Sequence, residues 1–247
     1  MFKRRTVLVG LGALPFVAGT RSVFAQAASD TVMTADGEIG IHPLQHASFV
    51  MTYGDQVFYF DPSDVSFEGQ PKPTAVFITH AHGDHFNAEA LPAVAGDAPI
   101  YTNEDVYSKL PEGLKAQATA LKNGDTTEVN GIPVEAVPAY NVTEDRLKYH
   151  PEGVGNGYVL TLGDKKVYVA GDTEPTPEML AMTGISVAFL PMNLPYTMDI
   201  EQAAEAVKTF TPEIVIPYHY GESDVEAFKS MVGDTAEVRL LAWYPAG

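Results

Sequence analysis

Short apolar runs closed by turn residues dominate this chain. From residue 38 onward, stretches rich in Val, Ile, Phe and Tyr end in Gly, Asp, Asn or Pro, which is the pattern of strands. It predicts strands at Glu38 to Leu44, Phe49 to Tyr53, Val57 to Asp61, Thr74 to Thr79 and Ile132 to Pro138. Further strands are predicted at Tyr158 to Leu162, Val167 to Gly171, Val187 to Pro191, Glu213 to His219 and Val238 to Trp243. Helices are marked by their starts. Asp199-Ile200-Glu201-Gln202 and Ser223-Asp224-Val225-Glu226 read as capping boxes, and Thr176-Pro177 puts proline at a first helical position. A strand-rich first half followed by strand–helix alternation fits an α/β fold, two sheets face to face with helices outside. A doubly wound nucleotide-binding fold would also alternate. No G-x-G-x-x-G or G-x-x-x-x-G-K-S/T follows any strand, so that fold lacks its phosphate loop.

The N-terminus departs from this pattern. Lys3-Arg4-Arg5 precedes a short apolar region through Ala18, and Ala25-Gln26-Ala27 is an A-x-A cleavage pattern. The apolar core is too short, and too broken by Gly and Pro15, to span a bilayer. Residues 1–27 therefore read as a cleaved signal peptide, and the Arg4-Arg5 pair resembles a twin-arginine signal. Lys3 and Val7-Leu8 depart from the strongest form of that motif, which leaves an ordinary secretory (Sec) signal as the alternative. A first helix of the mature protein is the third reading. The expected organisation is a signal at 1–27, a flexible tail at 28–36 and one domain at 37–247, with the mature chain periplasmic or secreted.

Charge and cysteine content narrow the classes. The chain carries a formal charge of −17, and removing residues 1–27 takes away Lys3, Arg4, Arg5 and Arg21 but no acid, giving −21. Such a surface is repelled by nucleic acid and by anionic membranes, which points to a small-molecule substrate and no stable membrane association. The chain has no cysteine, so disulfides and a thiol nucleophile are both excluded. Nothing in the sequence sets an oligomeric state.

The chemistry concentrates at Thr79-His80-Ala81-His82-Gly83-Asp84-His85, an H-x-H-x-D-H cluster directly after the run Ala75-Val76-Phe77-Ile78. His80 and His82 are two apart, so in an extended segment their rings leave one face. Asp84 and His85 follow where Gly83 lets the chain turn. Nitrogen and carboxylate donors in this density suit zinc first, with manganese and iron as alternatives.

This cluster at the end of a strand resembles the signature of the metallo-β-lactamase superfamily. The resemblance runs from about Glu38 to the C-terminus. It includes Tyr168-Val169-Ala170-Gly171-Asp172-Thr173, Ile214-Val215-Ile216-Pro217-Tyr218-His219 and the Asp61-Pro62 pair that closes an early strand. It implies a four-layer αββα sandwich with metals at one edge, between the sheets. One metal would take His80, His82 and His150, a second Asp84, His85 and His219, and Asp172 would bridge them. His150 sits in His150-Pro151-Glu152-Gly153-Val154-Gly155, which departs from the superfamily's commonest wording. With Ala139-Tyr140-Asn141 it looks like the branch of ascorbate-6-phosphate lactonases and N-acyl-phosphatidylethanolamine phospholipase D enzymes.

The resemblance implies hydrolysis by a hydroxide shared between two cations about 3.5–4 Å apart. Asp84 would orient the hydroxide and shuttle its proton. His46, in His46-Ala47-Ser48, resembles a cleft residue of that branch and is the second catalytic candidate; a hydrogen-bonded histidine holding a strand end is its ordinary alternative. His42 reads as structural. Tyr140, Tyr218 and Tyr220 are candidate oxyanion donors or packing residues. Segments Val65 to Lys72, Tyr140 to Gly155 and Leu194 to Met198 are the expected pocket loops. The expected substrate is a small ester, lactone or phosphodiester. Two alternatives stand beside this, an iron-dependent oxidoreductase of the persulfide dioxygenase kind and a non-catalytic periplasmic metal-binding protein.

Overall fold

The computed structural model describes residues 30–244, so the signal peptide expected at 1–27 lies outside the described residues. The first seven strands form one sheet in chain order. β1 (Asp30–Thr34), β2 (Gly37–Gln45), β3 (Ser48–Tyr53) and β4 (Gln56–Phe60) make an antiparallel meander. β5 (Ala75–Phe77), β6 (Ile100–Thr102) and β7 (Ala118–Ala120) then add in parallel, with α1 (Leu91–Ala95) and α2 (Glu104–Lys109) on the crossovers.

The second half repeats this plan. β8 (Thr126–Val129), β9 (Ile132–Ala139), β10 (Gly155–Leu162) and β11 (Lys165–Val169) are antiparallel neighbours. β12 (Val187–Pro191), β13 (Ile214–Tyr218) and β14 (Glu237–Val238) follow in parallel. α3 (Pro177–Leu180), α4 (Ile200–Phe210) and α5 (Val225–Val232) provide the crossovers.

Three apolar clusters set the layers. Phe49, Phe60 and Phe77 from one sheet meet Tyr158, Phe189 and Trp243 from the other half of the chain, and Phe49 stacks on Phe60 at 4.6 Å and on Phe189 at 4.8 Å. A second cluster lies under α3, α4 and α5, and a third under α1 and α2. Along β12, Val187 and Phe189 face the other sheet while Ala188 and Leu190 face the helices. A strand covered on both sides must be apolar at every position, which explains the unbroken runs read from the sequence. The layers are thus helix, sheet, sheet, helix, the αββα sandwich that was expected.

Several elements differ from the sequence reading. Residues 30–34, expected within a loose tail, pair with β2 as an edge strand. β6, β7 and β8 carried too short or too polar a pattern to be read. β8 and β9 are joined by Asn130-Gly131, whose positive φ values of 53° and 85° match a two-residue hairpin loop. Of the strand expected at Val238 to Trp243 only Val238 lies in one, β14, and the chain then returns to the other sheet, where the backbone of His46 donates to the Trp243 carbonyl. α4 starts on the full Asp199–Gln202 capping box, whereas α5 is capped by Asp224, not Ser223. Ser223 Oγ donates to the Met192 carbonyl instead.

Candidate metal centre

The donors lie at or beyond the C-terminal ends of strands and in the loops beside them. Asp61 follows β4, the His80–His85 cluster follows β5, Asp172 follows β11 and His219 follows β13. His46 sits in the β2–β3 turn and His150 in the β9–β10 connection. Gly171 lets the two halves close. Its φ is +68°, and a Cβ there would lie 2.9 Å from the Asn156 carbonyl oxygen and 3.1 Å from Thr79 Cβ. Only glycine fits such a backbone against the strand end that carries the cluster.

All seven ligand candidates, and His46, converge. His80, His82 and His150 bring one donor atom each within 4.8 Å of one another, as do His46, Asp84 and His219, and His80, His85 and Asp172. His82 Nδ1 lies 3.0 Å from His80 Nε2 and 3.3 Å from His150 Nε2. Asp172 Oδ2 is 3.3 Å from His150 Nε2 and 3.4 Å from His219 Nε2. His85 Nε2 and Asp172 Oδ1 are buried and 3.3 Å apart, yet neither forms a hydrogen bond. Buried polar atoms rarely lack a partner, so two such atoms aimed at one point fit a cation between them.

The rings of His85 and His150 are held from behind. Asp61 accepts from the Thr79 amide at 2.7 Å, from Thr79 Oγ1 at 2.8 Å and from His85 Nδ1 at 2.8 Å, which fixes the ring so that Nε2 is the atom turned to a metal. His150 Nδ1 donates to the Tyr196 carbonyl at 3.0 Å, with the same consequence. Burial, and then the neighbouring His85, holds His80 well below its ordinary value of 6.5; burial also lowers His82. Both are neutral donors near pH 7. Burial would raise Asp172, but His219 and His85 outweigh it and keep the carboxyl ionised. Asp84 behaves likewise, with hydrogen bonds from His219 and His46 overcoming the effect of burial.

Comparisons with known proteins agree with this arrangement. Residues 40–219 match the family model described as the beta-lactamase superfamily domain. The chain belongs to the metallo-β-lactamase superfamily. Within it, a UPF0173 metal-dependent hydrolase of Pyrococcus abyssi is 33% identical over 219 residues, covering 80% of this chain and 94% of that protein. A solved metal-dependent hydrolase of Parabacteroides distasonis is 40% identical with a TM-score of 0.80, covering 86% of this chain and 97% of that one. A metallo hydrolase of Ignicoccus hospitalis is 28% identical with a TM-score of 0.68, covering 82% and 94%. The protein is a metal-dependent hydrolase with the metallo-β-lactamase fold.

The cleft of this metallo-β-lactamase-fold enzyme, about 490 Å³, opens over the donors and is walled by Tyr149, Tyr196 and Asn193. Of the expected pocket loops, 140–155 and 194–198 contribute to it. The 65–72 segment does not, since Phe67 stacks on Tyr59 at 4.4 Å instead. The three phenols named from the sequence are not in its lining. Tyr140 donates to Glu178 at 3.1 Å, Tyr218 is packed between the sheets and Tyr220 contacts Tyr244. Sequence reasoning missed the orienting role of Asp61, although its Asp-Pro context was a signal. It also missed Tyr244, whose phenol meets His46 at 2.7 Å, and nothing local marks that residue.

Proposed function

We propose that this enzyme is a dinuclear hydrolase, loaded with zinc, that cleaves a small ester, lactone or phosphodiester. The observation that carries this reading is Asp172, whose two oxygens adjoin His85 on one side and His150 and His219 on the other. One carboxylate among both donor groups suits a bridge between two cations. His80, His82 and His150 would hold one, and Asp84, His85 and His219 the other. A bound metal pair supplies an acidified water and polarises the bond under attack. Asp84, half exposed to the cleft, would orient the attacking water and take up its proton. His46 Nε2, 3.2 Å away, holds the carboxylate in place. The likeness of the His46 and His150 segments to the lactonase branch favours a lactone.

Elemental analysis of the purified protein tests this first, with two equivalents of zinc expected. Lactones, esters and phosphodiesters are then screened, and Asp172→Ala and His82→Ala should lose hydrolysis while staying folded and metal-poor. Full activity in Asp172→Ala overturns the dinuclear reading. Iron with thiol-dependent oxygen uptake would turn the assignment to a persulfide dioxygenase-like oxidoreductase; bound metal with no turnover would leave a metal-binding protein.

Export belongs to the same proposal. The basic start, short apolar region and A-x-A pattern within residues 1–27 support periplasmic delivery through the twin-arginine or Sec machinery. Sequencing the N-terminus of the protein recovered from the periplasm should find a chain starting after Ala27. A chain starting at Met1 would refute export with cleavage.

A further inference from the structure

The cleft wall has a chemistry of its own. Tyr149 and Tyr196 stand edge to face, with ring centres 5.1 Å apart. They come from two loops stitched together by main-chain acceptors. Asn141 Nδ2 donates to the Tyr196 carbonyl at 2.7 Å and Arg146 Nη1 to the Thr197 carbonyl at 3.1 Å. Arg146 is itself anchored by the fully buried Glu174, so the two loops form one rigid rim. The same two loops expose Val142, Leu147, Leu194 and Tyr196. Of these Tyr196 lines the cleft itself, and large apolar side chains exposed on the loops that wall a cleft mark a binding surface.

Charge points the same way. Among the described residues lining the cleft, none is lysine or arginine, and the single neutral amide is Asn193. Sites for multiply anionic groups use Arg or Lys forks to hold them. The nearby Lys148 lies over the Tyr149 ring, 4.9 Å from its centre, and outside the lining. A site of about 490 Å³ also leaves room for a ring or short chain beside the polar head at the metals.

We propose that the cleft selects a substrate whose flanking group is neutral and apolar, an aryl or short alkyl group seated against the Tyr149–Tyr196 pair. It discriminates against substrates that carry an additional negative charge there. This rests on the proposed metal-loaded site, and it divides the ester, lactone and phosphodiester candidates by the group beside the bond.

Titration calorimetry of the zinc-loaded protein tests it without turnover, using hydroxamates, which chelate zinc. Benzohydroxamate should bind about tenfold more tightly than acetohydroxamate, a ring contact plus its buried area. 4-Carboxybenzohydroxamate should lose that advantage. The gain should vanish in Tyr149→Ala and Tyr196→Ala and persist in Tyr196→Phe, with zinc content unchanged. Equal binding of the two neutral probes, tightest binding of the carboxylated one, or no binding of benzohydroxamate overturns the inference. Protein that shows the preference yet hydrolyses nothing keeps this inference and loses the hydrolysis proposal. Hydrolysis without the preference does the reverse.

Discussion

His46 and Tyr244, 198 residues apart, meet with His46 Nδ1 2.7 Å from the Tyr244 phenol oxygen. The Gly221 amide donates to that oxygen at 2.9 Å, and burial pushes the phenol up to about 12, so it stays protonated. The Asp84 carboxylate on the other side of the ring can only accept, which leaves Nδ1 to accept from the phenol. His46 then carries its proton on Nε2 and donates it to Asp84, 3.2 Å away. A tyrosine at the far end of the chain thus sets the tautomer of a histidine beside the metal donors.

Tyr244→Phe should lower kcat/KM about tenfold, the lower end of the cost of losing such an outer partner, while leaving zinc content intact. Its thermal stability should change little, since one half-exposed hydrogen bond contributes only about 1 kcal/mol. Kinetics and elemental analysis on the same preparation check both. Unchanged kcat/KM would remove Tyr244 from the machinery.

Asp61→Asn should weaken metal binding about 10–100-fold. The carboxylate accepts from three donors, and an amide turns one of its two oxygens into a donor facing them. Competition with a zinc chelator reads the loss, and circular dichroism confirms that the fold is kept.

Metal loading should release protons near pH 7. Burial alone would lower His85, but the Asp172 and Asp61 carboxylates outweigh it and hold the metal-free residue well above 6.5. It is therefore protonated in the metal-free protein, and a metal must displace that proton. Affinity should rise with pH until the raised value is passed. In the metal-free fold the sign is opposite. The stability that His85 contributes is present below its unfolded value and is lost as pH rises through the raised one. Calorimetry in buffers of different ionisation enthalpy counts the protons; none released would refute this protonation state.

Glu174→Ala should cost about 3 kcal/mol of stability, because it strands a largely buried Arg146 and removes the acceptor of the Val142 and Thr143 amides. Chemical denaturation measures it. The loop it anchors carries His150, so zinc affinity should fall as well.

Local pattern determined much of this protein. The H-x-H-x-D-H cluster was legible because its donors lie within six residues, where backbone geometry alone puts them together. The runs at Val187–Pro191 and Ile214–Tyr218 were legible because burial on both faces demands an unbroken apolar stretch. The Asp199 cap is equally local. Tertiary structure decided the rest. β1 is a half-polar edge strand, recognisable only by its partner β2, and three-residue strands such as β6 carry too little pattern to stand out. Asp61 became an orienting carboxylate because β4 and β5 lie side by side, bringing it within 2.8 Å of His85. Tyr244 reached His46, and Tyr149 reached Tyr196, through contacts whose partners are far apart in the chain. Periodicity reports which face a residue buries, but only the packing of two sheets reports what it will touch there.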